Sequence, residues 1–286
     1  MPAAALPRDE DARLAALRSL GILDTPAEER FDRITRVASA LFDVPIALVS
    51  LVDANRQWFK SCVGLGVPET PRAVSFCAHA ILAEDTLVIP DALQDARVAD
   101  NPFVTNEPHV RFYAGRPLRA EGQPLGTLCL IDQRPRSLDE RRLGLLDDLA
   151  AWAEQELADV QRAQAARLLR VAEARWRAVV EHVADAILTF GTDGRVQTAN
   201  AAAEELFGRP SAALLGARVA ELFPGRPWPR LARGLADGSL LDRPLRAVAA
   251  RADGAPGTPV ALYLADTEID GRAVFIAVAH ARPRGA

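Results

Sequence analysis

Val44 to Ser61 reads VPIALVSLVDANRQWFKS. Pro45 to Asp53 is rich in Val, Ile and Leu, Asp53-Ala54-Asn55 has the composition of a turn, and Arg56 to Cys62 resumes with polar and apolar residues alternating. This pattern predicts a β-hairpin. Upstream, Leu14, Leu17 and Leu20 share one helical face, and Phe31, Ile34, Val37, Ala38 and Leu41 share another, so two amphipathic helices precede it. Downstream, Gly64, Gly66, Pro68 and Pro71 mark a loop, Phe76 to Ala83 a short helix, Thr86 to Pro90 a short strand, and Asp91 to Pro108 an irregular stretch. Arg111 to Arg119 and Leu125 to Asp132, on either side of Glu121-Gly122-Gln123-Pro124, predict a second hairpin. The first half is therefore expected to be α+β, an antiparallel sheet with helices outside it.

From Leu138 to about Ala184 proline is absent and Gly144 is the single glycine, so a long helix is the natural reading. Leu146, Leu149, Ala153, Leu157, Val160, Gln164, Leu168 and Val171 follow steps of three and four, an imperfect seam of the kind that pairs with a second copy of itself. Two helices broken near Ala163 to Ala166 are the alternative. Beyond it, DAILTFGTDGRVQTANAAAEELFG (Asp185 to Gly208) reads as strand, Asp-Gly turn, strand and a helix capped by Asn200. Short helical pieces are expected at Ser211 to Leu215, Val219 to Phe223 and Trp228 to Ala236, then strands at Arg243 to Arg251, Thr258 to Thr267 and Arg272 to Ala281.

The whole chain has 286 residues, which suggests two domains at about 150 residues each. Hydrophobic residues are 49% and charged residues 25%, the balance of a folded globular protein. A formal net charge of -4 argues against a nucleic-acid or anionic-membrane binder, which relies on surplus basic charge. The longest apolar runs, Ile46 to Val52 and Ala273 to Ala279, are strand-sized, far below the roughly 20 residues of a membrane span. The opening MPAAALPRDEDAR lacks the pattern of a secretory signal, so the cytoplasm is expected. The three cysteines, Cys62, Cys77 and Cys129, form no CxxC pair, and neither a disulfide framework nor a structural zinc site is expected of them. No Walker-type phosphate loop, HExxH or GxSxG is present, and no kinase ATP-binding sequence follows His182.

The first half resembles a GAF domain. The resemblance rests on LGILDTPAEERFDRI (Leu20 to Ile34), the Val44 to Ser61 stretch, SFCAHAI (Ser75 to Ile81), VIPDALQDARVADNPFV (Val88 to Val104), and RFYAGRPL with GTLCLID between Arg111 and Asp132. The second half resembles a PAS domain, on Asp185 to Gly208 and RADG (Arg251 to Gly254). Both are sensory modules of bacterial signalling proteins, of the kind found ahead of histidine kinases and diguanylate cyclases. The implied organisation is a GAF-like domain at 1–137, a connecting helix at 138–181 and a PAS-like domain at 182–286. Each domain is implied to hold a five- or six-stranded antiparallel sheet flanked by helices, with a cavity between sheet and helices. The resemblance also implies a homodimer that relays a signal through the long helix to an effector protein, a kinase or cyclase. The two sensor-sized halves account for the length, so the output activity is expected elsewhere. The ligand is left unidentified. In the PAS-like half a flavin-thiol adduct is not expected, since Cys129 is the last cysteine, and haem is disfavoured by the absence of histidine between His182 and His280.

In the GAF-like cavity the candidate ligand-binding residues are Cys77, His79, Asp91, Arg111 and Tyr113. Cys77 and His79, two apart on one helix, point about 200° from one another and cannot act as a pair. Cys77 is expected inside as a small hydrophobe, with His79 or Ser75 at the cavity mouth or capping a turn. Arg111 and Tyr113 share a strand face, and Arg111 either clamps a carboxylate or phosphate or pairs with Asp91 or Asp95 to hold the loop. In the PAS-like half Phe190, Phe207, Phe223 and Tyr263 are expected to line the interior, as a packed core or as an occupied pocket. No catalytic or metal residue is assigned. A different class of function is a thiol-dependent reductase of free methionine sulfoxide, with Cys77 as nucleophile and Cys129 as resolving thiol. A third is a ligand-free dimerisation scaffold.

Overall fold

The computed structural model describes residues 4–225, 244–269 and 271–282. The chain divides into two compact units, residues 1–168 and 169–286.

In the first unit two helices, α1 (Glu10–Ser19) and α2 (Glu29–Phe42), precede the sheet. The carboxylate of Asp9 caps α1 by accepting from the Ala12 amide at 3.3 Å. On α2, Phe31, Ile34, Thr35, Ala38 and Phe42 are buried, the stripe that helical periodicity requires. That helix stops where Asp43 turns left-handed at φ 52° and donates its amide to Ser39. Then come β1 (Ile46–Val52), β2 (Arg56–Val63), β3 (Glu69–Pro71), β4 (Leu87–Ile89), β5 (Phe112–Ala120) and β6 (Gln123–Asp132). They form one sheet in the order β3-β2-β1-β6-β5-β4, and every pairing is antiparallel. Two short α-helices lie between strands, α3 (Phe76–Ala80) and α4 (Pro102–Thr105).

All seven residues of β1 are buried, because both faces of the sheet are covered. Ala47, Val49 and Leu51 join a core with α1, α2 and the start of α5 (Glu140–His182), while Ile46, Leu48 and Val52 join a second core with α3. The stretch from Gly64 to Pro71, expected as plain loop, ends in β3, which pairs with Arg56 to Trp58 on β2. Three residues ending at a proline carry too little apolar pattern to announce a strand. Likewise α4 sits inside the expected irregular stretch, started by Asn101, whose side chain accepts from Phe103 at 2.8 Å.

Helix α5 is one continuous helix of 43 residues, without the break that was the alternative. Leu146, Leu149, Ala150, Ala153 and Leu157 are buried. Further along, Leu168, Leu169, Val171, Trp176 and Val179 are exposed.

The second unit holds β7 (Ala186–Gly191), β8 (Val196–Ala199), α6 (Ala201–Phe207), α7 (Ser211–Leu214), α8 (Val219–Leu222), β9 (Leu245–Ala249), β10 (Thr258–Ile269) and β11 (Arg272–Ala281). The strand order is β8-β7-β11-β10-β9. Asn200 fixes the entry to α6: its side-chain oxygen accepts from Ala203 at 3.0 Å and Ile187 at 2.9 Å, and its amide donates to Val180 at 3.0 Å and Asp185 at 2.9 Å. Gly208 ends the helix at φ 61°, a conformation that glycine adopts freely. The helical piece expected at Trp228 to Ala236 lies outside the described residues.

Candidate functional site

A cavity of about 320 Å³ lies in the first unit on the sheet face covered by α3. The faces of β1 and β6 that carry Ile46, Leu48 and Ile131 supply an apolar wall, and Phe59, Phe76 and Val110 extend it. Polar groups enter singly, from Gln57, Ser75, Thr70 and Glu107. Ser75 caps α3 by accepting from Ala78 at 3.0 Å and donates its hydroxyl hydrogen to the Gln57 side-chain oxygen. Gly66, Val67 and Glu107, all exposed, also line the cavity and place its mouth between two loops. An apolar chamber with a few convergent polar groups is the usual form of a small-molecule site.

At the inner wall of the cavity lies a buried polar cluster. Cys77 on α3 lines the cavity, and its Sγ lies 3.7 Å from the Sγ of Cys129 on β6. The Tyr113 hydroxyl, fully buried, donates to the Cys77 sulfur at 3.3 Å. Gly115, two residues along β5, makes room for that hydroxyl: a Cβ there would come within 2.1 Å of it. On the same face, Ser50 of β1 and Thr127 of β6 are register partners, both completely buried, and neither hydroxyl has a hydrogen-bond partner. Burial pushes the Cys77 thiol up, but its contacts with Tyr113 and Cys129, with the Ser50 and Thr127 hydroxyls close by though not hydrogen-bonded, more than offset it and bring it down to about 6. Burial raises Cys129, and so does its neighbour Cys77. Either thiol can donate across the contact, and the tyrosine donor favours charge on Cys77 over Cys129. Burial likewise raises Tyr113, which stays a neutral donor.

Of the five residues expected in this cavity, the structure brings Cys77 and Tyr113 to it and leaves three outside. Arg111 precedes β5 and grips Asp91 with two parallel bonds of 2.8 Å, while its carbonyl accepts from Ala92 at 2.6 Å. The loop-holding alternative is the one realised, and Asp95 pairs with Arg97 instead. His79 is buried at its Nε2, which has no partner, and both burial and the Arg97 charge lower its basicity. Cys62, half-buried, donates to the Leu65 carbonyl at 3.4 Å, and burial raises its thiol.

In the second unit Phe190, Phe207 and Phe223 are fully buried in the core. Phe190 stacks on Phe275 at 5.7 Å between ring centres, and Phe207 meets Phe223 edge-on at 5.4 Å. Tyr263 corrects the expectation, being 48% exposed. On β10 the inward positions are Leu262 and Leu264, and strand alternation turns the residue between them outward. A shallow cavity of about 250 Å³ in this unit is lined by Ala186, Ala202, Leu206 and Arg251 among others, and by none of the four aromatic residues. Among the described residues no group of three or more His, Cys, Asp and Glu side chains could hold a metal.

Residues 26–157 match the GAF domain family and residues 180–272 match the PAS fold. A cyclic di-GMP phosphodiesterase of Pseudomonas aeruginosa is 47% identical over 146 residues, half of this chain and 25% of that protein, so the chain spans about a quarter of the relative's length. Among solved structures, the GAF domain of an Acinetobacter phosphoenolpyruvate-protein phosphotransferase is 16% identical with a TM-score of 0.42, covering 55% of this chain and 97% of that one. The PAS domain of an HTR-like protein from Haloarcula marismortui is 20% identical with a TM-score of 0.38, covering 42% of this chain and 99% of that one. The chain thus carries a match to the GAF domain family and a match to the PAS fold in tandem, at residues 26–157 and 180–272.

Proposed function

We propose that the chain is a sensory module of a signalling protein whose first domain binds a small, neutral, mostly apolar molecule. The observation that carries this reading is the cavity of about 320 Å³, apolar on its walls, with Gln57 and Ser75 converging on it. Arg111 is engaged by Asp91 and is given no role in holding the ligand. The module acts as a cytoplasmic homodimer, with the exposed apolar residues between Leu168 and Val179 meeting those of a second copy, and it controls a separate catalytic domain of the phosphodiesterase, cyclase or kinase class. The relative named for cyclic di-GMP hydrolysis supports that choice of output.

Native mass spectrometry and a thermal-shift screen of small apolar alcohols, amides and aromatics test the reading. A ligand at 100 times its Kd stabilises the first domain by about 2.7 kcal/mol. Leu48→Trp, which fills the cavity, removes the effect. No bound mass and no stabilising compound would remove the sensor reading.

A second reading is favoured by the 3.7 Å approach of Cys77 and Cys129: thiol-dependent reduction of free methionine sulfoxide. Turnover with a dithiol reductant, lost in Cys77→Ser, would establish it, and an inactive intact chain removes it.

A further inference from the structure

Two buried hydroxyls without partners need an explanation, since an unsatisfied buried hydroxyl costs about 1 to 3 kcal/mol. Ser50 and Thr127 face each other across β1 and β6, on the face that carries Cys129 and Tyr113 and is covered by Cys77. With Tyr113 already donating to the Cys77 sulfur, the two hydroxyls are spare donors on the same buried face as the thiol pair. A neutral thiol has little use for them; a thiolate, or the oxyanion that leaves when a thiolate is oxidised, does. The second thiol lies 3.7 Å away on a different element, and the cavity gives a path from solvent past Val67 and Glu107 to Cys77. Cys62, across β1 from Cys129 in the same register row, donates to the Leu65 carbonyl.

We propose that Cys77 and Cys129 form a hydroperoxide-reactive dithiol that closes to a disulfide beneath the cavity of the first domain. The Cys77 thiolate attacks the outer oxygen of the hydroperoxide; an S–O bond forms, the O–O bond breaks, and the departing oxygen takes up a proton and leaves as water or an alcohol. The Cys129 thiol then attacks the sulfur of the resulting sulfenic acid, the S–O bond breaks, and the oxygen leaves as water with the Cys129 proton. Overall two thiols and one hydroperoxide give one disulfide, one alcohol or water, and one water. Closing the sulfurs from 3.7 Å to about 2.05 Å draws α3 toward the sheet, and because Cys77 lines the cavity, oxidation alters the space offered to a ligand.

This inference rests on the thiol cluster and not on the sensor reading, so the two fail separately. The test treats the full chain with hydrogen peroxide, blocks the remaining thiols, and maps the peptides by mass spectrometry. The expected product is a Cys77–Cys129 linked pair that a dithiol reductant reopens, with Cys62 still free to alkylate. In Cys129→Ser, dimedone traps a sulfenic acid on Cys77. At pH 7 Cys77 reacts about tenfold faster than Cys62, and its rate falls as pH drops through about 6. Thr127→Val, or Ser50→Ala should that variant fold poorly, slows oxidation several-fold and moves the midpoint of the pH profile upward. A disulfide involving Cys62, a Cys77 rate flat between pH 5 and 8, or faster oxidation by free methionine sulfoxide than by peroxide would overturn the proposal.

Discussion

Glu10 shows how single residues hold the first domain together. Its carboxylate accepts from Arg13 at 2.7 and 2.8 Å and also from Arg72, while Arg13 reaches on to the Val52 carbonyl at 2.7 Å and is itself fully buried. Burial pushes the Glu10 carboxyl up, and the bonds from Arg13 and Arg72 outweigh it, holding it at about 2 against 4.5 for the free side chain. A carboxyl with a lowered folded value contributes stability that is complete above about pH 4.5 and drains away as pH falls through about 2. Glu10→Gln leaves a buried guanidinium without its counter-charge and is expected to cost about 2 kcal/mol. Melting of the first domain between pH 5 and 2 checks this, and the variant's profile should be the flatter. Gly115 is the other revealing residue. Gly115→Ala drives a methyl into the Tyr113 hydroxyl, so loss of the bond to Cys77 should appear as an upward shift in the Cys77 alkylation midpoint.

Among the elements, α6 and α5 carry the sharpest expectations. Asn200 satisfies four backbone groups at the start of α6, and Asn200→Ala is expected to lower the second unit's stability by about 3 kcal/mol, one part lost capping and the rest unpaired amides. A separate melting transition for that unit, read by circular dichroism, reports it. Along α5 the buried positions end at Leu157, yet large apolar side chains continue, with Trp176 70% exposed. If these meet a second copy, sedimentation velocity at tens of micromolar finds a dimer, and Leu169→Glu with Trp176→Glu yields a monomer. A wild-type monomer contradicts the paired helix.

For the molecule as a whole, the architecture was legible because its cues are local. The Val44 to Ser61 hairpin, the Asn200 cap and the proline-free helix each declare themselves within a window of a few residues. Of the thiol cluster the sequence offered Cys77, Cys129 and Tyr113 but neither Ser50 nor Thr127, since these meet only through the register of β1, β5 and β6 and the seating of α3. The sole local hint was a serine and a threonine interrupting apolar strand runs. Arg111 was left with two readings that alternation along β5 does not separate, and the structure shows it one place before the strand, paired with Asp91. A molecule bound in the cavity of the first domain should be felt in α5. Hydrogen–deuterium exchange of the full chain, with and without a compound found to stabilise it, addresses this most directly. Slowed exchange is expected at Phe76–Ala80 and Pro102–Thr105 around the cavity, together with altered exchange in α5 beyond Leu157. Protection located elsewhere, or confined to the cavity with α5 unchanged, would contradict it.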